Sequence, residues 1–239
     1  YEGAPIGVTS YLSVISKGSA VIILMIILFT VMSAFAEISK SLLYIISIAT
    51  MFLGNFFALR QQNLKRFLAF SSIAQAGFIL LGFMSNDTLG ISTIVYFVAI
   101  YIFTNLAAFG VIQSISFHTG KENLEDYNGL YRTNPKLSLV MLLALFSLAG
   151  IPPVAGFFGK FFLFTAAASK GYYLLVFLAV VNVTISLYYY LLVVRAMFLR
   201  KSDTAIPYFS SRATMKMGLV LAVLGVLIIG LLSPIYEYI

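Results

Sequence analysis

Seven long runs of apolar residues decide what this chain can fold into. They lie at roughly 6–32, 39–59, 64–84, 91–114, 137–168, 173–199 and 215–235. An apolar helix of about 20 residues crosses the hydrocarbon core of a bilayer, and such runs have no place in a water-soluble domain. Apolar residues make up 61% of the chain and charged residues 10%, against about 45–50% and about 25% in soluble domains. The expected class is therefore an all-α integral membrane protein with about seven transmembrane helices. Disorder and nucleic-acid binding are excluded as organising ideas. With no cysteine there is no disulfide, thiolate metal site or redox sulfur, and His118, the single histidine, cannot build a metal site alone.

The basic residues orient the runs. Eleven of the fifteen lysines and arginines fall on one side: Arg60, Lys65 and Arg66; Lys121, Arg132 and Lys136; and Arg195, Arg200, Lys201, Arg212 and Lys216. The other side carries only Lys40 and Lys170. The lysine- and arginine-rich side is cytoplasmic or its organelle equivalent, which puts the N-terminus inside and the C-terminus outside. Tryptophan is absent, so an interfacial aromatic belt must use tyrosines such as Tyr172, Tyr173, Tyr208 and Tyr236. The chain opens Tyr1-Glu2-Gly3-Ala4-Pro5 without an initiator Met, as expected of the C-terminal part of something longer.

Two lysines remain, and both sit inside apolar runs. Lys17 lies eleven residues into the first run, roughly 16 Å along a helix from Ile6, too deep for comfortable snorkelling. Ser10 and Ser13 share its helix face, with Ser16 and Ser19 flanking. A lysine at mid-membrane costs about 2.5–3.5 kcal/mol on insertion scales and faces protein or a wet cavity. The bland alternative is a structural lysine bonded to backbone carbonyls.

Lys160 belongs to the fifth run, whose length exceeds one straight crossing. The segment Ser147-Leu148-Ala149-Gly150-Ile151-Pro152-Pro153 continues through Gly156 and Gly159 to Lys160. Pro152 and Pro153 remove two amide donors and clash with the preceding turn, so a continuous helix cannot pass. Two half-helices joined by an unwound stretch are expected, with freed carbonyls tolerated only against protein or water. A broken helix beside an ionisable residue is a transporter signature; the alternative is a plain proline kink with a packed lysine.

No carboxylate lies within the seven runs. Glu37, Asp87 and Glu237 belong to the outer side, and Glu122, Glu125, Asp126 and Asp203 to the inner loops. In general a lysine removed from water releases its proton more readily, which a reversible carrier requires; the other option is an acid from a missing segment or partner. Candidates for lining a water path between the lysines are Ser13, Ser71, Ser72, Gln75, Asn105, Ser147 and Thr184, with Asn55, Thr104, Asn182 and Tyr188 also at depth. Fewer than half are expected to do so, because such residues also serve as interhelical glue. The basic loop 60–66 reads as topology plus anionic-lipid contact, 121–136 as a mixed-charge connection, and His118 as a solvent-side loop residue. No phosphate loop, dinucleotide glycine pattern or nucleophile triad is present.

Tyr1-Glu2-Gly3-Ala4-Pro5, the Lys17 helix, Asn63-Leu64-Lys65-Arg66 before Ser71-Ser72-Ile73-Ala74-Gln75, Leu124-Glu125-Asp126-Tyr127-Asn128-Gly129-Leu130, and Ala149-Gly150-Ile151-Pro152-Pro153 through Lys160 together resemble the antiporter-like N subunits of respiratory complex I, called subunit 2 in mitochondria and chloroplasts. The resemblance runs along essentially the whole chain. A lysine at 160, where M-type sisters carry glutamate, favours the N type. It implies a fourteen-helix fold with inverted five-helix repeats. Residues 1–36 would be the last helix of a mostly missing first repeat, 37–200 the second repeat with its broken helix at 137–168, and 201–239 a C-terminal transmembrane helix. The missing half would supply a glutamate and lysine pair. Many members carry His where Gln75 stands, so the resemblance implies water ordering there instead of titration.

The expectation that follows is a proton-translocating membrane-arm subunit of an NADH:quinone oxidoreductase, with Lys17 and Lys160 as relays. FMN, iron–sulfur clusters and quinone are expected in partner subunits and no cofactor or metal in this chain. Expected partners are the other membrane-arm subunits and lipids, not nucleic acid, and the chain is not expected to function alone. The expected location is the bacterial cytoplasmic membrane, ahead of an organelle inner or thylakoid membrane. The alternatives are a cation/proton antiporter subunit without quinone chemistry and a passive scaffold.

Overall fold

The structure, a computed structural model, describes residues 3–31, 36–85, 87–202 and 205–231. Tyr236, Glu237, Asp203 and the end of the seventh run lie outside the described residues. Among the described residues, six helices are long and apolar enough to cross a bilayer: α1 (Ile6–Val31), α2 (Ala36–Leu59), α3 (Leu64–Gly82), α4 (Thr88–Thr119), α7 (Tyr173–Phe198) and α8 (Ala213–Leu231). Between α4 and α7 the fifth run forms two shorter apolar helices, α5 (Pro135–Ala149) and α6 (Ala155–Ala168). The result is an all-helical, multi-pass membrane protein in which each expected run appears and the overlong one is divided at its prolines.

Local chemistry sets the boundaries. Asn63 caps α3 by accepting from the Arg66 N–H, and Asp87 caps α4 by accepting from the Gly90 N–H at 3.0 Å. Pro135 opens α5 at a position where its missing N–H costs nothing. Gly150 closes α5 at φ +83°, a conformation that side chains with a Cβ adopt at a cost.

At the centre stand α3 and α4, whose apolar windows are 72% and 67% buried, whereas α1 and α8 are 17% and 22% buried. Small residues bring α2 against α3: a Cβ on Gly54 would meet the backbone N of Ala74 at 2.4 Å, and one on Gly77 the Met51 side chain at 2.6 Å. The outer faces of α1 and α2 stay apolar and exposed, with Ile22, Ile23, Ile26, Ile45 and Phe56 among them.

The loops follow the charge asymmetry. On the sparsely charged side, Lys40 pairs with Glu37 at 3.2 Å and Lys170 with Asp87 at 2.8 Å. Burial pushes the Asp87 carboxyl up. The hydrogen bonds from Lys170, the Gly90 N–H and Ser85, with the Lys170 charge, outweigh it and hold the group below the usual carboxylate range. On the basic side two loops clasp each other. Leu64 N–H donates to Glu122 O and Leu124 N–H to Gln62 O, both at 2.8 Å, and the Asn63 amide donates to the Glu122 carboxylate at 3.1 Å.

Two expectations change. Lys65 is buried and donates to Ala4 O at 3.1 Å, so in loop 60–66 this lysine ties the chain start to α3 and is not a lipid contact. His118 is no loop residue: α4 runs five residues past the expected end, and His118 sits in its last turn, stacked on Phe209 at 4.3 Å between ring centroids. A 32-residue helix spans about 48 Å, so α4 rises clear of the roughly 30 Å hydrocarbon core.

Candidate functional site: two lysines around a broken helix

The break between α5 and α6 determines the environment of Lys160. In a continuous helix the N–H groups of residues 152 and 153 would bond the carbonyls of Leu148 and Ala149. Prolines have no N–H, so those two carbonyls are released. Lys160 Nζ donates to both, at 2.6 Å to Leu148 O and 3.2 Å to Ala149 O. The lysine is 3% exposed and its ammonium lies 4.8 Å from the centre of the Phe78 ring, a favourable cation–π placement. Gly156 lets α6 turn back onto α5. A Cβ there would fall 1.7 Å from Ser147 O, and its N–H donates to Ser147 Oγ at 3.2 Å. Ser147 Oγ also shares a hydrogen bond with Thr104 at 3.0 Å.

Lys17 leaves α1 just after a π-helical turn, Leu12–Ser16, a local register change often found at functional sites. Its Nζ donates to Ser72 O at 2.6 Å and Ser72 Oγ at 2.8 Å. The Tyr101 ring centre is 5.7 Å away, and Tyr101 OH donates to Ser13 O at 2.9 Å. Ser10 and Ser13 are buried beside the half-buried lysine, but Ser16 and Ser19 are exposed and Ser19 bonds its own helix. The polar stripe is thus narrower than expected.

The two lysines are brought toward each other by α3. Next to Ser72, Ser71 is buried and its hydroxyl donates to Leu68 O at 3.0 Å. Gln75, one turn further on, donates to Tyr190 OH at 3.4 Å and to Leu148 O at 3.1 Å, the same carbonyl that accepts from Lys160. Polar groups on α3 therefore lie between the two lysines: Ser72, which holds Lys17, then Ser71, then Gln75, which is bonded to Tyr190 and to the Leu148 O that also accepts from Lys160. Beside Tyr190, with ring centroids 4.6 Å apart, Tyr189 donates to Asn55 Oδ1 at 2.8 Å, and Asn55 in turn donates to Asn182. Asn105, one turn beyond Tyr101, donates to Tyr101 O at 2.9 Å, while its buried Oδ1 has no partner among the described residues, the condition of a group that water satisfies. No carboxylate reaches either lysine among the described residues, and no group of three His, Cys, Asp or Glu there could hold a metal.

Of the expected path residues, Ser13, Ser71, Ser72, Gln75, Asn105 and Ser147 are buried around these groups. Thr184 is not. It is exposed and bonds Val180 O on its own helix, and Tyr188 is likewise exposed. Both lie on the wrong side of α7: at about 100° per residue, Thr184 is about 200° around from Asn182. Tyr101, Tyr189 and Tyr190 were missed. The available signal was periodicity, because Asn182, Ser186, Tyr189 and Val193 recur at the 4-3-4 spacing of one helical face with Tyr190 beside it.

Comparison with known proteins places this geometry. A sequence profile described as "NADH:quinone oxidoreductase/Mrp antiporter, TM" matches residues 1–186. The chain is 53% identical over 238 residues to NADH-quinone oxidoreductase subunit N of Phocaeicola vulgatus, covering 99% of this chain and 50% of that protein. It is 37% identical to NAD(P)H-quinone oxidoreductase subunit 2 of Gloeobacter violaceus, covering 98% of this chain and 47% of that one. Among solved structures, a chain of respiratory complex I from Thermus thermophilus with bound aureothin superposes with a TM-score of 0.72 at 34% identity, covering 81% of this chain and 44% of that chain. The chain spans about half the length of the curated relatives it matches. It belongs to the NADH:quinone oxidoreductase/Mrp antiporter transmembrane family.

Proposed function

We propose that this chain is the proton-conducting part of a membrane-arm subunit of an NADH:quinone oxidoreductase, with Lys17 and Lys160 as its protonatable stations. The observation that carries the reading is the shared polar route: two lysines without counter-charge, each bonded to groups on or beside α3, with Gln75 and Lys160 meeting at one released carbonyl. A carbonyl oxygen holds an ammonium but cannot take its proton, so the proton leaves Lys160 to water or a hydroxyl. Tyr190, Ser71 and Ser72 supply hydroxyls that can both donate and accept, and Gln75 orients without titrating. Each hop moves one proton and no electron.

Electron transfer belongs to partner subunits, where flavin, iron–sulfur and quinone chemistry is expected. A change of charge or conformation arising there sets the direction of transfer here. Other membrane-arm subunits and lipids surround the chain, which does not work alone, and the membrane is the bacterial cytoplasmic one. The five-helix second repeat, with its broken helix, also belongs to this reading: residues 37–200 would form the repeat and 1–36 the end of its predecessor.

The test is proton pumping per NADH oxidised in membranes whose assembled complex carries Lys160→Ala. Loss of pumping per assembled complex is expected, whatever the yield of that complex. Pumping at the level of the parent would make Lys160 a structural lysine and the chain a scaffold. The family description also covers Mrp antiporters, so a second reading is cation/proton exchange without quinone chemistry; transport that depends on Na⁺ or K⁺ and ignores quinone would favour it.

A further inference from the structure

On the basic side of the molecule, the first turns of α5 and α8 and the segment 207–211 enclose a cavity of about 480 Å³. Its walls are held from both sides. Asn134 donates to Pro207 O at 3.1 Å and accepts from Phe209 N–H, Ser211 shares a hydrogen bond with Ser114 at 2.7 Å, and Phe209 stacks on His118. The segment is therefore braced against α4 and α5, and the space beside α8 stays open.

The cavity has two chemistries. Leu137, Val140 and Leu219 make an apolar floor, and Val220 and Leu224, 56% and 46% exposed, carry that apolar surface out along α8. Lys136 and Lys216 stand at the loop end. Lys216 Nζ donates to the neutral Ser210 Oγ at 2.9 Å. No acidic residue lines the cavity, and neither lysine has a carboxylate partner among the described residues. Both lysines lie in the first turn of a helix, where the backbone adds further positive potential.

We propose that this cavity binds one anionic phospholipid, its phosphate between Lys136 and Lys216 and an acyl chain along Val220 and Leu224. Charge complementarity selects the class. Two cations facing an apolar groove at the cytoplasmic interface suit a headgroup with net negative charge, whereas a zwitterionic lipid would bring its own cation against them. A free anion would leave the apolar wall unused. The site also relocates the lipid contact expected at loop 60–66, where Lys65 is instead turned into the protein.

The test uses the assembled complex containing this chain, reconstituted in phosphatidylcholine vesicles. These are doped with phosphatidylglycerol or phosphatidylcholine carrying the same photoactivatable diazirine acyl chain. After irradiation, adducts are mapped by peptide mass spectrometry. Segments 137–140 and 219–224 should be labelled more by the phosphatidylglycerol probe. Lys136→Gln and Lys216→Gln should each reduce that preference about fivefold, and Lys136→Arg with Lys216→Arg should keep it. An unchanged yield of assembled complex in every variant checks that the fold is intact. Equal labelling by the two probes would overturn the proposal, as would a preference that survives both Gln substitutions. Absence of labelling by either would also overturn it, and would indicate that a neighbouring protein covers the cavity. Because the readout is labelling, it stands or falls separately from proton transfer.

Discussion

Lys160 does two jobs that a single substitution confounds. It fills the hydrogen-bonding capacity of the carbonyls that Pro152 and Pro153 leave open, and in the proposed mechanism it carries a proton. Lys160→Ala removes both and leaves buried acceptors unsatisfied at about 1–3 kcal/mol, so the yield of assembled complex should fall along with pumping. Lys160→Gln keeps an N–H donor but cannot carry a proton: assembly should recover toward that of the parent while pumping stays lost. Recovery of both in the Gln variant would leave Lys160 with the structural task alone. Tyr190 offers a cleaner contrast. Tyr190→Phe deletes the hydroxyl that accepts from Gln75 in a buried side chain and should slow proton translocation on the order of tenfold, the rate equivalent of one hydrogen bond worth about 1.4 kcal/mol. Tyr188→Phe, two residues away and 60% exposed, should leave the rate unchanged; equal effects of the two would detach Tyr190 from the route.

The elements were legible in the sequence wherever a local rule forces them. A run of about 20 apolar residues has one stable form in a bilayer, and two adjacent prolines must break it, so the spans and the α5–α6 division follow from reading alone. What could not be read was which way each helix faces. α4 and α7 are apolar nearly all round, so depth in the membrane identified polar candidates while azimuth sorted them, and Thr184 and Tyr188 were chosen by depth. Helix ends were partly legible, and one can be tested. Asp87 caps α4 and pairs with Lys170. Asp87→Ala should lower thermal stability of the detergent-solubilised protein by about 1 kcal/mol, the value of an N-cap, and Asp87→Asn by less, because the amide still caps. The Asp87 carboxyl is held below its ordinary range in the folded state. Its charge therefore contributes stability above the unfolded carboxylate value of about 4, and that contribution is lost as pH falls through the folded one. The gap between Asp and Asn at neutral pH should close on acidification; a gap that widens in acid would contradict the ion-pair assignment.

At the scale of the whole molecule, the basic residues divide unevenly between the two ends of the helices, and the ion pairs sharpen that division. The sparsely basic side satisfies Lys40 and Lys170 with Glu37 and Asp87, leaving little net charge to resist crossing. The opposite side gathers the basic loops, the clasp between segments 62–64 and 122–124, and the cavity with Lys136 and Lys216. Because lysines and arginines are retained on the cytoplasmic side during insertion, this arrangement predicts a cytoplasmic basic side, and in the proposed route Ser72 is then reached about eight residues in from the basic-side start of α3. The natural absence of cysteine in the chain makes the orientation directly measurable. Single substitutions at exposed Glu125 and Arg200 should react with a membrane-impermeant maleimide from the cytoplasmic face only. Substitutions at Glu37 and Lys170 should react only from the opposite face, each read as labelling of this chain above the cysteine-free parent. Because the four positions lie in four different connections or helix ends, a single misplaced span would change one result, and an inverted molecule would exchange all of them. Reaction of Arg200→Cys and Lys170→Cys from the same face would break the pairing of the two ends of α7 with opposite surfaces, and with it the membrane placement of Tyr190 and Asn182 on which the lateral branch of the route depends.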